Sequence, residues 1–98
     1  MKETTAAQVN EQLANNKKIA ILDVRTPEEV KTGKIPGAIN IPLNLLEFRM
    51  NELDRSIEYT VVCQAGGRSA QAVQFLNSYG YNVVNMAGGM QAWNGPLA

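Results

Sequence analysis

The chain has 98 residues, 45% of them apolar, with nine Lys plus Arg balanced by nine Asp plus Glu and no His. That length suits one domain, residues 1–98, with one ordinary core, and the neutral charge argues against a nucleic-acid partner or an acidic membrane surface. No apolar run approaches the ~18 residues that span a bilayer, and one Cys makes neither an internal disulfide nor a Cys/His zinc site.

Met1 to Glu3 reads as a short first strand, with no apolar signal segment behind it. A reducing, cytoplasmic setting is therefore expected, with no cofactor and no metal. Thr5-Ala6-Ala7-Gln8 has the form of a capping box, and Ala6, Val9 and Leu13 then share one helical face. Asn15-Asn16-Lys17-Lys18 ends that helix with turn formers and cations suited to its C-terminus. Ile19 to Leu22 is a short continuous apolar run, the mark of a strand buried on both faces. Asp23-Val24-Arg25 follows at its carboxyl end. Thr26-Pro27-Glu28-Glu29 opens a helix, with Thr26 at the cap, Pro27 in the first turn and Glu29 closing a capping box; Gly33 stops it.

Ile35-Pro36-Gly37 reads as a turn, Ala38 to Ile41 as a brief strand cut by Pro42, and Leu43 to Leu53 as a helix. After a polar connection, Tyr59 to Val62 is a strand leading into Cys63. The helical pattern resumes at Ser69, carries Ala72, Val73, Leu76 and Tyr79, and ends at Gly80. Tyr81 to Val84 is another strand, and Gly88-Gly89 turns the chain into a last short helix from Met90 to Trp93. No internal repeat, low-complexity tract or linker interrupts this alternation. It predicts an α/β fold, a parallel sheet covered by helices on both faces. Ligands of such sheets bind beyond the carboxyl ends of the strands, where Cys63 and Asp23 both fall.

The stretch Val61-Val62-Cys63-Gln64-Ala65-Gly66-Gly67-Arg68-Ser69 is strand, tight loop and helix start. A Cys opening such a loop faces backbone N–H groups and the positive end of a helix, and both favour an anion. Thiols so placed have pKa values of roughly 3.5–7.5, against about 8.5 when free. Gly66 and Gly67 are expected to supply positive φ, so that amides approach Sγ. Arg68 is a cation in a first helical turn, disfavoured there by about 0.3–1 kcal/mol, so it is expected to bind an oxyanion or to brace the loop. Ser69 could cap the helix or donate to the thiolate, and capping is the expected role. Asp23 could serve as a proton donor or loop brace but is expected to accept from backbone N–H groups. Arg25 is expected to pair with Glu28 or Glu29, and Met90 and Trp93 to cover the core. The plain alternatives are an inert core Cys, an ordinary Gly-Gly turn and a solvated Arg. A strand end followed by Gly-Gly-Arg-Ser favours a reactive Cys63 outside the core.

Four stretches together resemble the rhodanese-type sulfurtransferases of the small single-domain kind. They are Leu22-Asp23-Val24-Arg25, Gly33 through Pro42, Cys63 through Ser69, and Ala87-Gly88-Gly89-Met90-Gln91-Ala92-Trp93. They stand in the family's order and span nearly the whole chain. The resemblance implies a three-layer α/β/α domain with five strands ordered 1-5-4-2-3. It also implies a Cys63 that carries a persulfide sulfur, with Gln64, Ala65, Gly66, Gly67, Arg68 and Ser69 lining the substrate site. The implied donor is a small molecule such as thiosulfate or a protein persulfide, and the implied acceptor a thiol or cyanide. Lys34 stands where the family often has His, and the loop lacks the extra basic residues of some thiosulfate-using members. Two competing readings use the same fold device. Cys-dependent phosphatases and arsenate reductases have a Cys-x5-Arg loop, one residue longer than the Cys-x4-Arg here, and a reductase would want a resolving Cys. Non-catalytic modules of the fold usually lose the Cys.

Overall fold

A computed structural model describes residues 1–98. The elements are β1 (Glu3–Thr5), α1 (Ala6–Ala14), β2 (Ala20–Asp23), α2 (Pro27–Val30), β3 (Ile39–Asn40), α3 (Leu46–Arg49), β4 (Glu58–Val62), α4 (Gly67–Ser78) and β5 (Asn82–Ala87). Single 3-10 turns precede and follow α3, at Leu43–Leu45 and Met50–Glu52, and another spans Gly89–Ala92. All pairings are parallel, and the order across the sheet is β1-β5-β4-β2-β3, as the family resemblance implied.

Local signals start both N-terminal helices. The Thr5 hydroxyl accepts from Gln8 N–H at 3.1 Å while the Gln8 side chain accepts from Thr5 N–H at 3.0 Å. Thr26 and Glu29 repeat the reciprocal pair at 3.2 and 3.1 Å, with Pro27 in the first turn. Each cap satisfies amides that a helix end leaves without a partner.

Strand alternation builds two cores, one on each face of the sheet. Leu22, Val24, Tyr59, Val61 and Val83 face α3 and α4, where Leu46, Ala72, Val73 and Leu76 close the layer. Ile21, Val62 and Met86 face the other way, against Ala6 and Val9 of α1 and against Ile35, Ala38 and Trp93. Trp93 and Met90 cover this second core, as expected.

Three elements away from the Cys63 loop depart from the sequence reading. β1 is Glu3–Thr5, not Met1–Glu3, because its partner residues on β5 are Asn85, Met86 and Ala87. β5 runs on to Ala87, past the expected end at Val84, because the polar Asn85 in its middle breaks the apolar pattern yet is buried. Leu43 to Leu53 is not one helix but α3 between two 3-10 turns, with no side-chain cap on any of them. Asn44 and Asn51 lie in those turns, and such side chains compete for backbone groups that a continuous helix needs. No helix is long and apolar enough to cross a membrane.

Candidate active site

Cys63 stands immediately after β4, and its loop leads into α4. Its Sγ accepts the Gly66 N–H at 3.0 Å and lies 3.3 Å from Ser69 Oγ. Gly66, at φ 106°, is the residue that bends the loop back over the sulfur. A Cβ built there would lie 3.1 Å from Gly88 N, so both the conformation and the space require glycine. Gly67 differs from expectation. It is already helical, has no positive φ, and a Cβ on it would meet nothing within 4 Å. α4 thus starts two residues before the apolar pattern suggested.

Ser69 is not the cap, which corrects the sequence reading. Gly66 takes the cap position without a side-chain bond, and Ser69 is turned inward and fully buried. Its hydroxyl lies 3.1 Å from Gly66 O and 2.5 Å from Asn85 Oδ1. Cys63 also differs from expectation, because it does belong to the core. It is 1% exposed and packs with Val61, Leu76 and their neighbours. Burial pushes its thiol pKa up. The Ser69 hydroxyl and the amides of Ser69, Gly66 and Ala65 together outweigh that and hold it below the ordinary thiol value. A buried sulfur with donors aimed at it is chemically unlike an inert core thiol.

The turn after β5 supports the loop from behind. Met90 N–H donates to Cys63 O at 2.8 Å, and Gln91 N–H to Gln64 O at 3.0 Å. Gly89 makes this approach possible, since a Cβ on it would stand 2.5 Å from Cys63 O. The carbonyls of Cys63 and Gln64 are thereby tied to this turn, while the Gly66 amide points at Sγ. Gln64 is half-buried and Ala65 exposed at the rim of the loop.

The charged residues pair differently from the sequence expectation. Arg25 does not bind a Glu28 or Glu29 carboxylate. Its Nη2 donates to Asp23 Oδ2 at 2.8 Å and its Nε to both carboxylate oxygens at 3.1 Å. Both side chains are buried, at 2% and 0% exposure. Asp23 Oδ1 also accepts the Arg25 N–H at 3.0 Å, so the expected backbone bond is present beside the ion pair. The guanidinium reaches on to Gly33 O at 2.8 Å and Gln64 Oε1 at 3.4 Å, linking the pair to the loop. Asn40 completes this corner by donating to the carbonyls of Asp23 and Arg25 at 2.9 and 3.0 Å.

Glu29 instead takes Arg68, in two parallel contacts of 2.7 Å. The Arg68 guanidinium and the Thr26 amide lower the Glu29 pKa to about 2. Arg68 therefore braces α4 against α2, the second of its two expected roles. A cleft of about 340 Å³ lies alongside it, lined by Val24, Thr26, Pro42, Leu43, Asn44 and Arg68.

A family model described as a rhodanese-like domain matches residues 5–96. YtwF of Bacillus subtilis is 36% identical over 95 residues, covering 97% of this chain and 92% of YtwF. A protein named sulfurtransferase from Allochromatium vinosum is 35% identical over 92 residues, covering 93% of this chain and 86% of that protein. Among solved structures, SSP1007 from Staphylococcus saprophyticus superposes with a TM-score of 0.94 at 38% identity, covering 100% of this chain and 99% of that one.

Proposed function

The chain belongs to the rhodanese-like domain family, and on that premise we propose that it is a sulfurtransferase working through a persulfide on Cys63. The observation that carries this reading is the sulfur itself. Sγ is held 3.0 Å from the Gly66 amide and 3.3 Å from the Ser69 hydroxyl, with its pKa lowered. Such a site eases ionisation of the sulfur, and the thiolate is the nucleophile that sulfur transfer needs.

In the first half-reaction the Cys63 thiolate attacks the sulfane sulfur of the donor. With thiosulfate, the S–S bond of the donor breaks and sulfite leaves with the electron pair. Cys63 then carries a persulfide anion, Cys–S–S⁻, within the ring of Gln64, Ala65, Gly66 and Gly67. Ser69 bonds its inner sulfur, and Arg68 holds the ring in place through Glu29. In the second half-reaction a thiol or cyanide attacks the outer sulfur. The persulfide bond breaks, the acceptor leaves with the sulfur, and the Cys63 thiolate returns. No general base is required when the thiolate is already formed, which suits a chain with no His. We propose residues 1–98 as one catalytic domain in a reducing, cytoplasmic compartment, which keeps the single thiol free.

A phosphatase reading is disfavoured by Arg68. Its guanidinium is committed to Glu29 in two contacts, so it does not stand free over Sγ to receive a tetrahedral oxyanion. The test is intact mass after incubation with thiosulfate or glutathione persulfide. The expected result is a gain of one sulfur atom, reversed by cyanide and absent in Cys63→Ser. No gain with any donor, or a gain that survives Cys63→Ser, overturns the proposal.

A further inference from the structure

We propose that Asn85 is a positioning residue whose side-chain amide turns over as Cys63 ionises, so that the Ser69 hydroxyl is aimed at the sulfur when the sulfur is an anion. Cys63, Ser69 and Asn85 are all buried, so no bulk water supplies missing hydrogen bonds. Ser69 has a single O–H, yet three acceptors surround its oxygen. Gly66 O lies at 3.1 Å, Asn85 Oδ1 at 2.5 Å and Cys63 Sγ at 3.3 Å. An Oγ–Oδ1 contact of 2.5 Å needs a proton between the two oxygens. The arrangement is therefore that of the neutral thiol, with S–H donating to Oγ and Oγ–H donating to Oδ1.

A thiolate reverses the demand, because it accepts only. The Ser69 proton must then turn to Sγ, and Oγ would face the lone pairs of Oδ1 with nothing between them. Turning the Asn85 amide over removes the conflict, because Nδ2 then donates to Oγ. The other half of the amide permits this. Nδ2 now donates to Glu3 Oε2 at 3.2 Å, and Glu3 is an exposed side chain of the edge strand β1, directly opposite Asn85 in the register. Its carboxylate is free to swing into water. The resulting chain, N–H to Oγ and O–H to S⁻, is charge-assisted and stronger than the neutral one. The charged groups around this site are Glu3 on β1, the Asp23–Arg25 pair at the end of β2, Glu29 on α2 and Arg68 on α4.

The inference rests on the reading of Cys63 as a thiolate nucleophile, but its test needs no sulfur transfer, so the two fail separately. The ionisation midpoint of Cys63 is measured from alkylation rate against pH in the full chain, for Asn85→Leu, Ser69→Ala and the double variant. Asn85→Leu should raise the midpoint by about half to one pH unit, a roughly three- to tenfold loss of thiolate below the midpoint. Ser69→Ala should also raise it, and Asn85→Leu should add nothing in that background. In the unmodified chain, the Asn85 side-chain amide NMR signals should shift with the same midpoint as Cys63. Amide signals indifferent to Cys63 ionisation overturn the proposal even where Asn85→Leu fails to fold. An unchanged midpoint in folded Asn85→Leu, or an equal shift with and without the Ser69 hydroxyl, overturns it as well.

Discussion

Replacing Arg25 by Ala removes a guanidinium that is 2% exposed and leaves the Asp23 carboxylate, at 0% exposure, without its counter-ion. Gly33 O loses its 2.8 Å donor in the same step. Removing one partner of a buried pair costs about 3–5 kcal/mol, because the remaining charge stays in a medium that solvates it poorly. Domains of this size have a total stability of about 5–15 kcal/mol, so the loss is a large share of it. At about 4–8 °C per kcal/mol, a 4 kcal/mol loss lowers Tm by roughly 16–32 °C. Urea unfolding followed by circular dichroism measures the free energy, and a thermal scan measures the shift. The double variant Asp23→Asn/Arg25→Met should recover most of the loss, since it removes both charges and keeps an acceptor for the Arg25-position amide. A single-variant cost below about 1 kcal/mol, or a double variant worse than the single, would refute the reasoning.

Other substitutions probe the site and its supports. The alkylation midpoint of Cys63 should lie below the roughly 8.5 of a free thiol and rise in Ser69→Ala, because the hydroxyl is the largest of the groups lowering it. Glu29 has a folded pKa of about 2, below its unfolded value, so its stabilisation is complete above the unfolded value and fades as pH falls towards 2. Glu29→Gln should therefore be less stable than the parent by about 0.5–1 kcal/mol at pH 7, a figure kept low because the pair is about one-third exposed. Urea unfolding at pH 3 should show that gap narrowing. Gly89→Ala should cost about 1–3 kcal/mol and disturb Cys63 alkylation, because the new Cβ meets Cys63 O at 2.5 Å. Gly67→Ala, helical and with open space around it, should be neutral or stabilising by about 0.4–1 kcal/mol in the same unfolding assay.

The signals that were legible in the sequence were local ones or ordered sets of them. Thr5 with Gln8, and Thr26 with Glu29, announce their helices because a capping box is closed within four residues. The run into Cys63 reads as a strand because β-branched residues lead to a glycine-rich loop, whereas the strand order came only with the family resemblance that four motifs carry. What stayed hidden depends on partners brought together by the fold. Arg68 and Glu29 are 39 residues apart, and spacing alone had offered Glu29 to Arg25. Arg25 and Asp23 meet although they are two apart, because the chain leaves the strand between them and lets the guanidinium turn back. Asn85 gave no signal, since its role arises only where β5 lies beside β4 and under the first turn of α4. Cys63 reads as lying outside the core because Gly-Gly-Arg-Ser follows it, whereas Sγ packs with apolar neighbours and also accepts an amide.

That double character follows from how two glycine turns meet. Gly66 at φ 106° and Gly88 at φ 83° lie back to back, with only 3.1 Å between a Cβ position on the first and the nitrogen of the second. Side chains are excluded there, so the turn after β5 reaches the Cys63 loop backbone to backbone. Met90 and Gln91 then claim the carbonyls of Cys63 and Gln64. Holding the Gln64 carbonyl outward turns the Ala65 amide that follows it the opposite way, and Ala65 and Gly66 are among the amides that lower the thiol pKa. The amide ring around Sγ is thus built from outside the loop, by β5 and its turn, and not by the loop residues alone. Its size is coupled to that support. One more residue between Cys63 and Arg68 would shift either the carbonyls off Met90 and Gln91 or Arg68 off Glu29. In this chain the short Cys-x4-Arg spacing and the Gly88-Gly89 turn are two halves of one structural constraint.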